Sequence, residues 1–308
     1  MGRFVARRLL QMIPVFIGTT LLIFLMVYSL PGDPVKAMFG SKAADPATVV
    51  RLRHEYGLDK PLIQQYWDYI SGLFQGDFGQ SFTGRPVADL MADAFPVTIR
   101  LALFAFAIEL VFGIGLGVLT GLRRGKFLDQ AVLIFTLIVV SIPVFVLGNM
   151  AQFVVGVKWK LVTPTVQDPQ DLTQLTLPAI VLALLSLAYV TRLTRTTVAE
   201  NLRADYVRTA VAKGLPRRRV VGVHLMRNSL IPVVTFLGTD LGVLMGGAIV
   251  TEGIFNVPGV GNTLYQAVIT SEGPTVVGVV TVLVLVYLVS SLVVDLLYAV
   301  LDPRIRYA

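Results

Sequence analysis

Apolar runs long enough to cross a hydrocarbon core of roughly 30 Å recur near residues 9–30, 97–121, 128–156, 229–251 and 275–301, and a shorter one lies near 175–193. No other feature constrains the chain so strongly, because most of it must have lipid for a solvent. Composition agrees: 55% of the 308 residues are hydrophobic and only 15% charged, a pairing foreign to soluble globular chains. The expected fold class is an all-α membrane protein. The opening MGRFVARR precedes an apolar run too long for a signal peptide, and no A-x-A site follows it, so the run reads as an uncleaved first span.

Charge decides the number of spans and the side each loop faces. The stretch from Arg192 to Arg227 carries nine basic residues, which the positive-inside rule assigns to the cytoplasm. Counting 175–193 as a span gives six transmembrane helices and puts Arg3, Arg7 and Arg8, then Arg123, Arg124 and Lys126, then those nine, then Arg304 and Arg306 on one side. That is 17 of the 26 Lys and Arg. The formal net charge of +7 therefore reflects topology rather than nucleic-acid binding. Both termini are expected in the cytoplasm, with residues 1–30 forming the N-terminus and first span, 31–96 an extracytoplasmic segment, 97–301 a five-helix core and 302–308 the C-terminal tail. The core includes a cytoplasmic loop over 194–228.

The 31–96 segment holds six basic and eight acidic residues and shows no such bias. Asp45 and Pro46 signal a helix start and Gly57 a stop; Asp59, Pro61 and Gly76 repeat the arrangement. Between them Leu62, Ile63, Tyr66, Trp67, Ile70, Leu73 and Phe74 fall at helical spacing, predicting an amphipathic helix that lies on the outer leaflet, packs on the spans, or meets an external binding protein.

Several chemistries are excluded. The chain has no cysteine, which removes disulfides and thiolate metal sites. His54 and His224 fall on opposite sides of the expected topology, too far apart for a metal pair. A phosphate-cradling loop needs G-x-x-x-x-G-K-S/T, but Gly125-Lys126 is followed by Phe127, and Thr120 stands where the first glycine belongs. Nucleotide-driven work must then reside on another polypeptide.

Within the spans, Gly113, Gly117 and Gly121, and again Gly238, Gly242 and Gly246, recur every four residues. Such spacing allows close helix approach, or lines a moving path. Pro143 should bend the third span. Glu109, Asp240 and Asp295 are carboxylates in apolar runs, which must face a partner or a wet cavity or be protonated. Asp295 lies near the inner end. Asp240 and Glu109, with Gly238 and Gly242, are candidates for a translocation path, where Asp240 could attract the cationic end of a cargo.

The stretch ENLRADYVRTAVAKGLPRRRVVGVHLMRNSLIPVV carries most information. Asp205 is expected to cap a short helix running to about Lys213, Gly214 to end it and Pro216 to prevent its continuation. A second short helix then leads back to the membrane at Ser229 to Pro232. Such a compact double-helix projection is either a basic loop resting on anionic headgroups or a docking element for a cytosolic partner.

Here the sequence resembles a known family. Asp205-Tyr206-Val207-Arg208-Thr209-Ala210-Val211-Ala212-Lys213-Gly214, followed by His224 and Arg227-Asn228, is similar to the EAA loop of ATP-binding-cassette importer permeases, in particular the dipeptide and oligopeptide branch. Leu30-Pro31-Gly32-Asp33-Pro34, Tyr56-Gly57-Leu58-Asp59-Lys60-Pro61, Gly76-Asp77-Phe78-Gly79, Val257-Pro258-Gly259-Val260-Gly261 and Leu301-Asp302-Pro303-Arg304 match the same branch in order. Arg208 replaces an acidic residue of the generic loop, Thr209 its first alanine and Arg227 a proline, as in the peptide branch.

The resemblance implies a bacterial cytoplasmic-membrane complex of this chain with a second permease subunit, two cassette ATPase subunits that hold ATP and magnesium, and an extracytoplasmic substrate-binding protein. No cofactor is implied for this chain. Tyr206, Arg208, Thr209, Ala210, Lys213 and Gly214 are the expected ATPase-coupling residues, with Ala210 and Gly214 small enough for close approach and Arg208 and Lys213 able to pair with an acidic rim. Relatives carrying nickel, glutathione-like peptides or haem keep the cargo open, although the lack of histidine in the spans and of any cysteine argues against free nickel. An ion-coupled secondary transporter is the competing class, but it normally shows repeated halves with matching broken helices, and the sequence shows no convincing pair. An intramembrane enzyme lacks paired catalytic residues at membrane depth.

Overall fold

The computed structural model describes residues 2–29, 35, 45–55 and 57–301, with the side chains of these except at 2–4, 55, 247 and 293–301. The motif residues 30–34, Tyr56 and 302–304, and the Asp295 side chain, lie outside the described residues. Two compact units emerge, one of Met1–Thr98 with Pro258–Ala308 and one of Ile99–Val257.

In the first unit, α1 (Gly2–Tyr28) is an apolar helix that packs against a helix far along the chain. Asp45 Oδ2 accepts hydrogen bonds from the Thr48 amide and hydroxyl, starting α2 (Pro46–Glu55). Gly57 ends that turn at φ +63°, a backbone state that costs a side-chain-bearing residue about 1 kcal/mol or more. Nearby, a hydrogen bond from His54 holds the exposed Asp59 carboxyl below the ordinary carboxylate range. Pro61 opens α3 (Leu62–Leu73), and Gly76 at φ +81° turns the chain after it. A short hairpin, with Ser81 N–H bonded to Arg85 O at 2.9 Å, then leads into α4 (Val87–Ile108), which passes through the unit boundary at Thr98.

The second unit continues from α4 through a π-helical turn, Glu109–Gly113, into α5 (Ile114–Leu122). Then come α6 (Phe127–Ser141), α7 (Val144–Ala151) with a π-helical extension Gln152–Lys158, and α8 (Leu172–Asn201). The N-terminus of α8 is capped by Asp171, whose Oδ1 accepts the Thr173 amide at 2.9 Å and hydroxyl at 2.8 Å. Those bonds hold the Asp171 carboxyl below its usual range. Next follow α9 (Asp205–Ala212), α10 (Arg217–Arg219), a π-helical turn Val220–Leu225, α11 (Met226–Ser229) and α12 (Ile231–Phe255). The first unit resumes with α13 (Val260–Ile269), whose first amide donates to Thr98 Oγ1 at 2.8 Å, and α14 (Gly273–Leu301), the helix on which α1 packs. The matched Val257-Pro258-Gly259-Val260-Gly261 stretch is the entry to α13.

Among the described residues four helices are long and apolar enough to cross a membrane, Val5–Tyr28, Val87–Leu122, Leu172–Asn201 and Gly273–Leu292, and two bent pairs raise the number to six. The run near 175–193, the shortest in the sequence, is here a helix of 30 residues and the organising element of its unit. It contacts α5, α6, α7, α11, α12 and the Glu109–Gly113 turn. Over its apolar window 61% of residues are buried, against 11% for α1, so α8 meets protein where α1 is left open.

The third run bends at Pro143 as its sequence predicts, and sharply: α6 and the α7 segment meet at 105°. Ile142 is extended (φ −101°, ψ 128°) ahead of Pro143, because the proline ring excludes helical backbone from the residue before it. The chain also turns by 52° where the 217–229 segment meets α12, at the entry to the fifth run.

Close packing explains one glycine set. A Cβ on Gly117 would sit 2.5 Å from Thr194 Cβ and 2.8 Å from Thr191 O, and on Gly121 it would sit 2.8 Å from Val198 Cβ. Gly113 meets Val190 in the same way at 2.9 Å. Dispersion between closely approaching backbones holds such a pair together in lipid, where hydrophobicity offers no drive. Gly246 differs, being exposed with nothing within 4 Å of a Cβ, so the expectation that the second set also packs closely fails there within this chain.

Candidate functional site

The 201–230 segment is a folded projection built on the end of α8. Ala204, extended at ψ 149°, takes the N-cap position that Asp205 was expected to hold, and Asp205 becomes the first helical residue, where its charge suits the helix dipole. Gly214 at φ +74° reverses the chain, and Pro216 caps the next turn, so the helix ends where its residues predict.

One face of α9 is structural. Val207 and Ala210 are buried with Val198 of α8 and with Val220 and Leu225, and Leu122, Leu215 and Met226 pack around them. Ser229, fully buried, donates toward Thr197 O at 3.4 Å. Burying several aliphatic side chains at about 25 cal/mol per Å² makes the projection rigid with respect to α8. Ala210 is thus corrected: only 5% exposed, its small side chain fits α9 onto this chain's own core rather than admitting a partner.

The opposite face is free. Tyr206 is exposed, its hydroxyl donating to Asn201 Oδ1 at 2.8 Å. Arg208 stands 3.7 Å from Asp205, both largely in solvent. Thr209 bonds back to Asp205 O at 2.9 Å, and Lys213 and Gly214 are exposed. Sequence reasoning missed Val211, 61% exposed, and Ala212, also exposed. With Val207, Arg208, Leu215, Arg217 and Val221 they line an open cleft of 610 Å³. The available signal was helical spacing, which puts residues 207 and 210 on one face and 208, 211 and 212 on another. The site offers an apolar floor rimmed by guanidinium groups, on a base that cannot shift independently of α8.

The membrane candidates lie elsewhere in the same unit. Glu109 (0% exposed) and Asp240 (4%) are neighbours. Asp240 Oδ1 accepts from Ser186 Oγ at 2.9 Å, while both Glu109 oxygens and Asp240 Oδ2 have no geometric hydrogen-bond partner. These carboxyl groups are enclosed by the chain's own helices. Gly238 and Gly242 are half-buried. The outward stripe of α12 is instead Thr239, Val243, Gly246 and Val250, at helical spacing. No group of three or more potential metal ligands occurs among the described residues.

A further pair escaped the sequence reading. Asp129, on the first turn of α6, accepts from Arg195 Nε and Nη2 and from the Gly125 amide, and only 2% of its side chain is exposed. It ties the α5–α6 turn to α8 one turn before Val198.

Residues 113–307 match the family described as binding-protein-dependent transport system inner membrane component, and residues 1–102 match its N-terminal region. The di/tripeptide transport system permease protein of Pseudomonas aeruginosa is 41% identical over 99% of this chain and 98% of its own length. The dipeptide transport system permease protein of Escherichia coli K12 is 39% identical over 100% and 99%.

Proposed function

The chain belongs to the family of binding-protein-dependent transport system inner membrane components, and on that footing we propose how it works: as half of a peptide-conducting pore, driven through α9 by ATPases on other chains. It is a multi-pass membrane permease subunit of an ATP-binding-cassette peptide importer. The carrying observation is the exposed face of α9, with Tyr206, Arg208, Thr209, Val211 and Lys213, backed by the core that fuses it to α8.

A cassette ATPase docked on this face supplies the energy by hydrolysing ATP. A ligand shifts a conformational equilibrium only by its differential affinity for the two states, so movement of the docked subunit must reach the spans through a stiff connection. The Val198, Val207, Ala210, Val220 and Leu225 cluster is that connection. The apolar floor of the cleft suits a small apolar knob or groove edge on the partner, and Arg208, Lys213 and Arg217 suit an acidic rim.

The path runs along the exposed stripe of α12, Thr239, Val243 and Gly246, with Gly238 and Gly242 on its flank, completed by a second permease subunit. The stripe's small, weakly polar side chains fit cargo whose side chains vary. Glu109 and Asp240 stand behind this surface. An extracytoplasmic binding protein selects the peptide, and both termini and the 194–228 loop face the cytoplasm, in keeping with the clustering of basic residues. Residues 31–96 face outward.

Vesicles reconstituted with both permease chains, the ATPases and the binding protein should accumulate labelled dipeptide only with ATP. Thr209→Arg, on the exposed face, should abolish uptake with membrane abundance unchanged. Uptake by vesicles lacking the ATPases, or full uptake by the Thr209→Arg complex, defeats the reading.

A further inference from the structure

Helix α3 belongs to the segment between the first two spans, yet its anchoring contacts lie well inside them. Tyr66 Oη is 3.0 Å from Thr20 Oγ1 and donates to Ile17 O at 3.2 Å. Tyr69 Oη donates to Thr281 Oγ1 at 2.7 Å. At about 1.5 Å rise per residue, Thr20 lies about 12 Å from the end of α1 at Tyr28, and Thr281 about 12 Å from the start of α14 at Gly273. Two independent helices therefore give the same depth. Even with the length of a tyrosine side chain allowed for, α3 lies beside the spans rather than beyond their ends. Phe24 packs on Tyr28, Tyr66 and Tyr69 with ring centroids 4.5, 5.5 and 6.0 Å away, which fixes the seat.

The remaining faces of α3 fit that depth. At 100° per residue, Ile63, Trp67 and the following Phe74 form a stripe next to the tyrosine face, and these are 85%, 70% and 87% exposed. Gln64, Asp68 and Ser71, all exposed, form the side opposite the spans, where Asp68 pairs with Lys60 at 2.6 Å. A helix with one face on protein, one apolar flank and one polar back, set near a span end, has the pattern of an interfacial helix. Beside the α1 residues on which it sits, Ile17, Thr20 and Phe24, the neighbouring Leu21, Leu22 and Leu25 are exposed and apolar. The apolar flank continues their surface.

We propose that α3 is sunk into the outer leaflet, with Ile63, Trp67 and Phe74 among the lipid acyl chains and Lys60 and Asp68 at headgroup level. Only the choice of leaflet rests on the topology proposed above. The occupant of the apolar stripe is lipid, so the surface left for a soluble partner on this side lies outside that stripe.

The chain has two tryptophans, Trp67 and the exposed Trp159, so Trp159→Phe, in a complex whose other subunits have had their tryptophans replaced by phenylalanine, isolates the probe. In bilayers containing phosphatidylcholine brominated on its acyl chains in both leaflets, Trp67 should lose most of its emission, while aqueous iodide should quench it little. Strong iodide quenching with none from brominated lipid overturns the proposal. So does protection from both quenchers in the complex, since a protein partner then covers the stripe. Absence of native cysteine provides a second measurement: spin labels at Ile63→Cys and Ser71→Cys should respond to oxygen and to a water-soluble nickel complex respectively, and equal response to nickel at both sinks the idea. Bromination in both leaflets reads embedding whichever way the segment faces. A nickel complex added to one side only separately reports the topology.

Discussion

Arg195 reaches across from α8 to grip Asp129 of α6 with two nitrogens, at 2.5 and 2.8 Å, while the Gly125 amide donates to the same carboxylate. The grip sits one helical turn from Val198, where α9 docks. Arg195→Ala strands a buried carboxylate and is expected to cost about 3 kcal/mol, the low end for breaking a buried pair because the guanidinium keeps some solvent. A lowered melting temperature and reduced membrane abundance are the readouts. Arg195→Gln combined with Asp129→Asn should recover most of the loss, since no charge is then left unpaired. A stable single Arg195→Ala chain would show that the pair does not hold the turn.

Two glycines two residues apart, on nearly opposite faces of α5, offer a sharper contrast. Gly117→Ala drives a methyl against Thr194 and the Thr191 carbonyl, and overpacking of this kind costs about 1–3 kcal/mol. Gly115→Ala meets nothing within 4 Å and should leave stability unchanged or raise it by up to about 1 kcal/mol, because alanine favours the helix over glycine. Thermal denaturation of the two variants in one detergent compares them directly, and equal melting temperatures would contradict the packing of α5 on α8.

Gly214 has open space around it, so only its backbone is at stake. At φ +74° an alanine is strained by about 1–2 kcal/mol, and an asparagine by less. Gly214→Ala should reduce ATP-dependent uptake with abundance retained, and Gly214→Asn should restore part of it. Identical uptake by the two variants would separate the turn from energy coupling.

Glu109 and Asp240 are enclosed by the chain's own helices rather than set on the outward stripe of α12. A buried acid at membrane depth is costly, and an amide of the same shape removes the ionisable group without opening a cavity. Glu109→Gln and Asp240→Asn are expected to leave uptake unchanged and abundance equal or higher. Uptake lost at normal abundance would return Asp240 to the translocation path.

Much of this protein could be read from residue order alone. Long apolar runs specify helices in lipid, basic clusters specify a sidedness, and Gly214 with Pro216 specifies where α9 stops, because each depends on local chemistry that a few neighbouring residues supply. Even α8 was detectable, though weakly: Ser186, Thr191, Thr194 and Thr197 dilute its hydropathy, a consequence of facing other helices instead of lipid.

Tertiary structure decided what depends on partners distant in sequence. It turned Ala210 inward onto Val198, opposed Arg195 to Asp129 across 66 residues, set Glu109 beside Asp240, and laid Tyr69 on Thr281 more than two hundred residues away. A helix announces which of its residues share a face, but not which face meets protein. That choice falls to the packing of all the helices at once, where the close approach permitted by Gly117 and the 105° break at Pro143 determine what each surface touches.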